Sequence, residues 1–253
     1  CVRYGKDFNK SESDFLHTTK FSYSGKISLL SPIKLSEALK DTYRHKGMRR
    51  KLVEELRQKG IEDEDVLSAI AMLPRHFFLD KTFEEWAYQD KPFPIGNKQT
   101  ISQPYTVAYQ TALLQVKKRD KILEVGTGSG YQAAILALMG ARVFTIERQE
   151  LLYQSAKQLL EALQLGNVRC FLRDGYKGLP EFAPFDKIIV TAGAEELPKT
   201  LLEQLGIGGI MVIPVGKEVQ KMHQIKRLDQ DNFEEKVLDD FRFVPFLKGL
   251  NKL

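Results

Sequence analysis

From residue 41 onward the apolar positions fall into two alternating rhythms: short β-branched runs, and stretches where apolar residues recur every three or four places. Ile122, Leu123 and Val125 form a run of the first kind, consistent with a buried parallel strand. Tyr131–Met139 is helical in composition and stops at Gly140, and Val143, Phe144 and Ile146 make a second strand that ends on Glu147. An amphipathic helix over Glu150–Leu165, closed by Gly166, precedes a third strand at Val168–Leu172. Phe185–Val190 reads as a fourth strand, Pro198–Leu205 as a short helix and Gly208–Val215 as a fifth strand. Val219–Leu228 and Phe233–Val244 are two long late strands joined by a hairpin turn at Asp229–Asn232. The alternation predicts one α/β fold, a doubly wound and mostly parallel seven-stranded sheet.

Ahead of the sheet the period is helical. Met48, Leu52 and Leu56 lie on one face of Tyr43–Lys59, which Gly60 closes. Asp63 is placed to cap a second helix that carries Val66, Ile70 and Leu73 and ends at Pro74. These helices form an N-terminal cap over the active-site end or one face of the sheet. His76, beside Phe77 and Phe78, is read as a packed and satisfied histidine. In Tyr88–Thr111, Pro92, Pro94 and Gly96 argue against regular structure, and Pro104 suits the first turn of a helix running to Val116. Long polar irregular segments are usually functional when ordered. Ser102 stands just before that helix, and spacing alone makes it an N-cap. Residues 1–40 show no sustained period and are expected to be a poorly ordered extension. The domain reading is therefore an extension over 1–40, a helical part over 41–118 and a Rossmann-like core over 119–253.

The turn between the first two strands carries the clearest chemistry. It reads Glu124-Val-Gly126-Thr127-Gly128-Ser-Gly130, where glycine lets the chain turn sharply and a ligand lie against bare backbone. In a right-handed βαβ unit this turn lies beside the end of the second strand, so the Glu147 carboxylate can accept hydrogen bonds from ribose hydroxyls. The dinucleotide fingerprint is GxGxxG, with pyrophosphate at the helix N-terminus. This chain has an acidic residue followed by GxGxG, which resembles the first motif of class I S-adenosylmethionine-dependent methyltransferases. Asp174-Gly175, after the third strand, is either a plain turn or the carboxylate that meets an adenine amino group.

The formal charge of +5 hints at nucleic acid, but residues 1–40 hold seven Lys/Arg against four Asp/Glu and the remainder holds 31 against 29. A body so close to neutral has little net pull on a phosphate backbone. Only two cysteines are present, Cys1 and Cys170, the latter inside a strand, which favours a reducing, cytoplasmic setting over a disulfide framework. No apolar run approaches the roughly 18–20 residues needed to cross a bilayer. The N-terminus lacks the charged-then-apolar order of a secretory signal. It also lacks an initiator methionine, which suggests a fragment or an incomplete gene model.

Several stretches then coincide with one family. Pro74-Arg75-His76-Phe77-Phe78 is followed by Pro94-Ile95-Gly96, by Gln99-Thr100-Ile101-Ser102-Gln103-Pro104, by the glycine turn, by Phe185–Thr191 and by Phe243-Val244-Pro245-Phe246. From about Asp41 to the C-terminus the chain resembles the protein-L-isoaspartate O-methyltransferases, the Thr-Ile-Ser-Gln-Pro segment being the most specific part. The resemblance implies S-adenosyl-L-methionine as cofactor and methyl transfer to the α-carboxylate of L-isoaspartyl residues in damaged proteins. The ester then closes to a succinimide that hydrolyses in part to aspartate. It further implies Ser102 as the active-site serine, Thr100, Ile101 and Gln103 as substrate-binding residues, and Glu124, Gly126, Thr127, Gly128, Gly130, Glu147, Asp174 and Gly175 as cofactor-binding residues. No metal, nucleic acid or membrane is implied, and a monomer is expected. Where the family often has histidine after the proline of the serine motif, this chain has Tyr105. The chemistry agrees: an α-carboxyl with a reference pKa of about 3.3–3.7 is already ionised near neutrality, so alignment matters more than a general base. Rival readings are a methyltransferase acting on RNA or a small molecule, a non-catalytic protein of the same fold, and an NAD-dependent dehydrogenase, the last disfavoured by the glycine spacing.

Overall fold

The computed structural model describes residues 39–251. The extension expected over residues 1–40 thus lies, but for its last two residues, outside the described residues. Helix α1 (Tyr43–Gln58) opens on a capping box in which Thr42 Oγ1 accepts from the His45 amide and His45 Nδ1 accepts from the Thr42 amide. Asp63 caps α2 (Glu64–Met72), as expected, by accepting from the Asp65 and Val66 amides. Leu52, Leu56, Val66 and Ile70 are buried between these helices and the body.

The segment that follows departs from its expected irregularity. Phe93–Gly96 (β1) and Gln99–Ile101 (β2) form a small antiparallel hairpin with Phe93 opposite Ile101. Pro94 is exposed on this two-stranded ribbon, where a missing N–H is tolerated. Asn97 and Lys98 turn the corner with φ of 49° and 57°, the positive values a tight hairpin turn requires. The hairpin leads through Ser102 into α3 (Pro104–Leu114).

The core then runs β3 (Lys121–Val125), α4 (Tyr131–Leu138), β4 (Arg142–Glu147), α5 (Glu150–Ala162), β5 (Val168–Leu172), β6 (Phe185–Val190), α6 (Lys199–Glu203), β7 (Leu205–Val215), β8 (Gln220–Arg227) and β9 (Phe233–Phe241). The seven strands lie in the order β5-β4-β3-β6-β7-β8-β9, parallel through β7 and antiparallel at the β7–β8 and β8–β9 pairs. The predicted helix Pro198–Leu205 is shorter than expected, because Leu205 already pairs with Phe185 and begins β7. Gly209 makes the irregular step possible, since a Cβ there would stand 2.9 Å from the Asp186 carbonyl oxygen.

Alternation along the strands divides the core. Ile122, Val143, Ile189 and Val212 face α1 to α5. Leu123, Val125, Ile146, Ile188 and Val190 face α6 and the turns around Leu179 and Phe182. The strand order reverses direction at β3, so the crevice of a doubly wound sheet falls at the carboxyl ends of β3, β4 and β6. Among the described residues no helix is long and apolar enough to cross a membrane.

Ile70 is fully buried in α2 where the cap meets the body. Ile70→Ala is expected to cost about 2–5 kcal/mol, read as a lower midpoint in urea, without altering the cofactor affinity of the folded protein.

Candidate active site

The crevice encloses about 820 Å³, part of it open to solvent. Its floor is the turn after β3. Gly126 has φ +103°, and a Cβ there would stand 2.4 Å from Thr191 Oγ1. That hydroxyl donates to the Val125 and Gly126 carbonyls at 3.1 and 2.7 Å, so β6 is stitched to the turn at the point of closest approach. Glu147 ends β4 and is nearly buried. Its Oε2 accepts from the Gly128 amide at 2.9 Å, and its Oε1 accepts from the Arg148 and Gln149 amides at 2.8 and 2.9 Å. Burial pushes the Glu147 carboxyl up, while these amides pull it back. The far wall is Gly175 and Phe246: a Cβ on Gly175 would meet Val125 Cγ1 at 2.5 Å and the Phe246 ring at 2.9 Å. Phe246 stacks on Tyr176 with ring centroids 4.0 Å apart.

Of the residues singled out from the sequence, Thr100, Ile101, Ser102, Gly126, Thr127, Gly128, Glu147 and Gly175 line this one crevice. Four others do not. The Gln103 side chain turns away and donates to the carbonyl and carboxylate of Asp90 at 3.1 and 2.9 Å. Gly130 starts α4 and packs against α5, where a Cβ would meet Leu160 at 3.2 Å. Asp174 caps the following turn through the Tyr176 amide, and its second oxygen accepts from the Gly249 amide at 2.9 Å. Glu124 lies wholly buried beneath the turn, with no hydrogen-bond partner on either oxygen among the described residues. Burial pushes its carboxyl up to about 8; the adjacent Thr145 hydroxyl pulls the other way but is already bonded to Thr127 Oγ1 at 2.6 Å, and the Glu147 charge adds to the rise.

Ser102 is not the N-cap that spacing suggests. Gln103 takes that position, without a side-chain cap bond, because Pro104 occupies the first helical turn. The Ser102 hydroxyl makes no hydrogen bond among the described residues, and Ser102 borders the crevice. Tyr105, which departs from the family's histidine, packs on Tyr109 at 5.8 Å and gives its amide to Asp90 rather than facing the crevice. His76 is packed as expected, its nitrogens 2.7 Å from Tyr88 Oη and 3.1 Å from the Lys40 carbonyl. It lies near His45 and Asp41, but the Asp41 carboxylate is held by both terminal nitrogens of Arg49. Cys170 is a poor nucleophile, its thiol pushed by burial up to about 12.

Two lining residues escaped the sequence reading. Gln132 and Gln149 each bury an amide oxygen that has no hydrogen-bond partner among the described residues. The crevice also holds glycine positions that admit no Cβ, which let a ligand lie against bare backbone. Both glutamines follow a motif by one or two places, and a glutamine there carries no signal of its own.

A sheet of this order, with its crevice at this edge, is the class I fold of S-adenosylmethionine-dependent methyltransferases. Residues 47–251 match the family model described as protein-L-isoaspartate(D-aspartate) O-methyltransferase, and the chain belongs to that family. It is 55% identical over 213 residues to protein-L-isoaspartate O-methyltransferases of Christiangramia forsetii and of Flavobacterium psychrophilum, covering 84% of this chain and 100% of each relative. A solved protein-L-isoaspartate O-methyltransferase superposes with a TM-score of 0.73 at 30% identity, over 80% of this chain and 67% of that one. A Plasmodium falciparum structure described as a beta-aspartate methyltransferase in complex with S-adenosyl-L-homocysteine gives 0.71 at 26% identity, over 79% and 99%. The chain is thus an S-adenosyl-L-methionine-dependent methyltransferase.

Because Glu124 binds its proton more tightly folded than unfolded, its contribution is complete below about pH 4.5 and is lost as pH rises toward 8. Glu124→Gln mimics the protonated form. It is expected to flatten that decline and to stabilise the ligand-free protein above pH 8 by a few kcal/mol, measured as Tm against pH. Parallel curves for both proteins would contradict the assignment.

Proposed function

We propose that this chain methylates the α-carboxylate of L-isoaspartyl residues in damaged proteins, with Ser102 donating the hydrogen bond that aims the carboxylate. The observation that carries the reading is that Ser102, freed from capping by Pro104, borders the same crevice as the glycine turn and Glu147. S-adenosyl-L-methionine, when bound, supplies an electrophilic methyl carried on a sulfonium.

The residues divide the work by location. Gly126, Thr127 and Gly128 offer bare backbone, and Glu147 offers ribose its remaining lone pairs. Gln132 and Gln149 complete the lining beside them. Gly175 is assigned to the adenine end, and Asp174 supports it by fastening that turn through the Tyr176 and Gly249 amides. Glu124 and Gly130 act from beneath, by shaping the turn and seating α4 on α5. On the acceptor side Thr100 and Ile101 flank Ser102, and Gln103 serves by fastening the segment to Asp90. The acceptor arrives ionised, so none of these groups needs to remove a proton; their task is alignment and exclusion of water.

The partner is a protein or peptide, recognised mainly through backbone around the isoaspartyl link, and residues 41–253 with 31 basic and 29 acidic side chains support this over nucleic acid. A monomer acting in the cytoplasm completes the reading, supported by a cysteine content without a disulfide framework.

Ser102→Ala is expected to lower kcat/KM for an isoaspartyl peptide by about 10- to 100-fold, the range for a lost hydrogen bond to a charged group. The affinity for S-adenosyl-L-homocysteine should stay unchanged. Near-wild-type kcat/KM on that peptide, or equal turnover on its aspartyl twin by the unaltered enzyme, would sink the proposal.

A further inference from the structure

We propose that Arg75 and Asp90 are positioning residues that clamp the backbone around Ser102 and so aim its hydroxyl into the crevice; this rests on the role given to Ser102 above. Arg75 is fully buried, and its Nη2 donates to the Ser102 carbonyl at 2.9 Å and, more loosely, to the Lys91 carbonyl at 3.5 Å. Its guanidinium lies over the Tyr131 ring at 4.9 Å, and Tyr131 is the first residue of the helix that leaves the glycine turn. One side chain therefore touches both halves of the site: the serine segment through a hydrogen bond and the cofactor turn through a ring.

Asp90 grips the same segment one step later. Its side chain is 2% exposed. Oδ1 accepts from the Tyr105 amide at 2.7 Å, and Oδ2 accepts from Gln103 Nε2 at 2.9 Å and from Lys59 Nζ at 2.6 Å. It thereby fills the role at the start of α3 that neither Ser102 nor Gln103 fills, a cap supplied from a distant loop. On the other side, Ile101 is fixed opposite Phe93 in the hairpin. Ser102 is thus pinned before itself by β2, at its own carbonyl by Arg75, and after itself by Asp90. Its hydroxyl, without a hydrogen-bond partner among the described residues, is left for a ligand.

Energetics set Arg75 apart from an ordinary core residue. Its Nε and Nη1 have no hydrogen-bond partner, and no carboxylate among the described residues stands within ion-pair distance of it. A buried cation so poorly compensated adds little to stability, and an apolar side chain of similar volume is often as stable or more so. What Arg75 supplies that an apolar chain does not is the direction of the Ser102 peptide.

The test is a double-mutant cycle on the full chain. Arg75→Met, Arg75→Lys, Asp90→Asn and Ser102→Ala are compared singly, and the first three again in the Ser102→Ala background. Methylation of an isoaspartyl peptide gives kcat and KM, calorimetry gives S-adenosyl-L-homocysteine affinity, and thermal melts report folding. Misplacing a reacting group by about 1 Å costs on the order of 10²-fold. Each clamp variant should therefore lose up to what Ser102→Ala loses, about 10- to 100-fold in kcat/KM, with nucleoside affinity held, yet lose less than about 3-fold once Ser102 is alanine. Arg75→Lys, which keeps one donor, should recover part of the loss, and it decides the cycle if Arg75→Met does not fold. Equal losses in both backgrounds would overturn the clamp while leaving the serine reading intact, as would wild-type kcat/KM in the single variants. Wild-type turnover by Ser102→Ala would overturn the serine reading and the clamp with it.

Discussion

The crevice exists because one buried carboxylate holds two chain segments together. Glu147 closes β4 and binds the amide of Gly128 across the turn and the amides of Arg148 and Gln149 beyond its own strand. Three backbone donors on one side chain draw the turn after β3 and the start of α5 to a common centre, from which the nucleoside half of the site is built. The arrangement opposes its own desolvation, since burial alone would favour the neutral acid and the amides favour the charged one. Glu124, on the neighbouring strand, has no such amides, and burial pushes its carboxyl further, up to about 8.

The two walls of the crevice have different origins. The side assigned to the nucleoside belongs to the sheet: β3, β4, the turn at Gly175 and Thr191 after β6. The acceptor side is assembled from the chain's flanks. The β1–β2 hairpin and Ser102 come from before the sheet, and Val244–Leu247 return from beyond β9. That return is anchored by the Gly193 amide on the Val244 carbonyl at 2.8 Å, by the Phe246 amide on the Gly193 carbonyl at 2.8 Å and by the Asn251 amide on the Arg148 carbonyl at 2.9 Å. On the proposed reading the sheet sets the cofactor geometry, and the flanking segments set the choice of acceptor.

This division explains what could be read in the chain. The strands and the glycine turn were legible because period, β-branching and glycine spacing are local signals, and the crevice follows from them by the handedness of βαβ units. The hairpin was not legible: Pro92, Pro94 and Gly96 argue against regular structure, yet a two-stranded ribbon tolerates them. Leu205 was assigned to a helix because nothing local shows that it pairs with Phe185. Gln103 and Asp174 were expected to face ligand, but their side chains are taken by Asp90 and by the Gly249 amide, contacts with partners 13 and 75 residues away. No spacing rule reaches that far.

Ser102 is the case where a local signal was present and outweighed by another. Serine just before a helix is a natural cap. Proline at the first helical position biases the residue ahead of it toward extended backbone and hands it the cap position; here Gln103 adopts φ −52° and ψ 136°. Serine is thereby moved one residue outside the helix, where its hydroxyl has no amide to satisfy. Pro104 and Ser102 are therefore one device: the ring fixes where the helix starts, and that boundary decides whether the hydroxyl serves the fold or the ligand. A hydroxyl with no protein partner beside the crevice is free to meet a ligand. The acceptor carboxylate, ionised on arrival, is the group whose chemistry matches a single O–H donor held still.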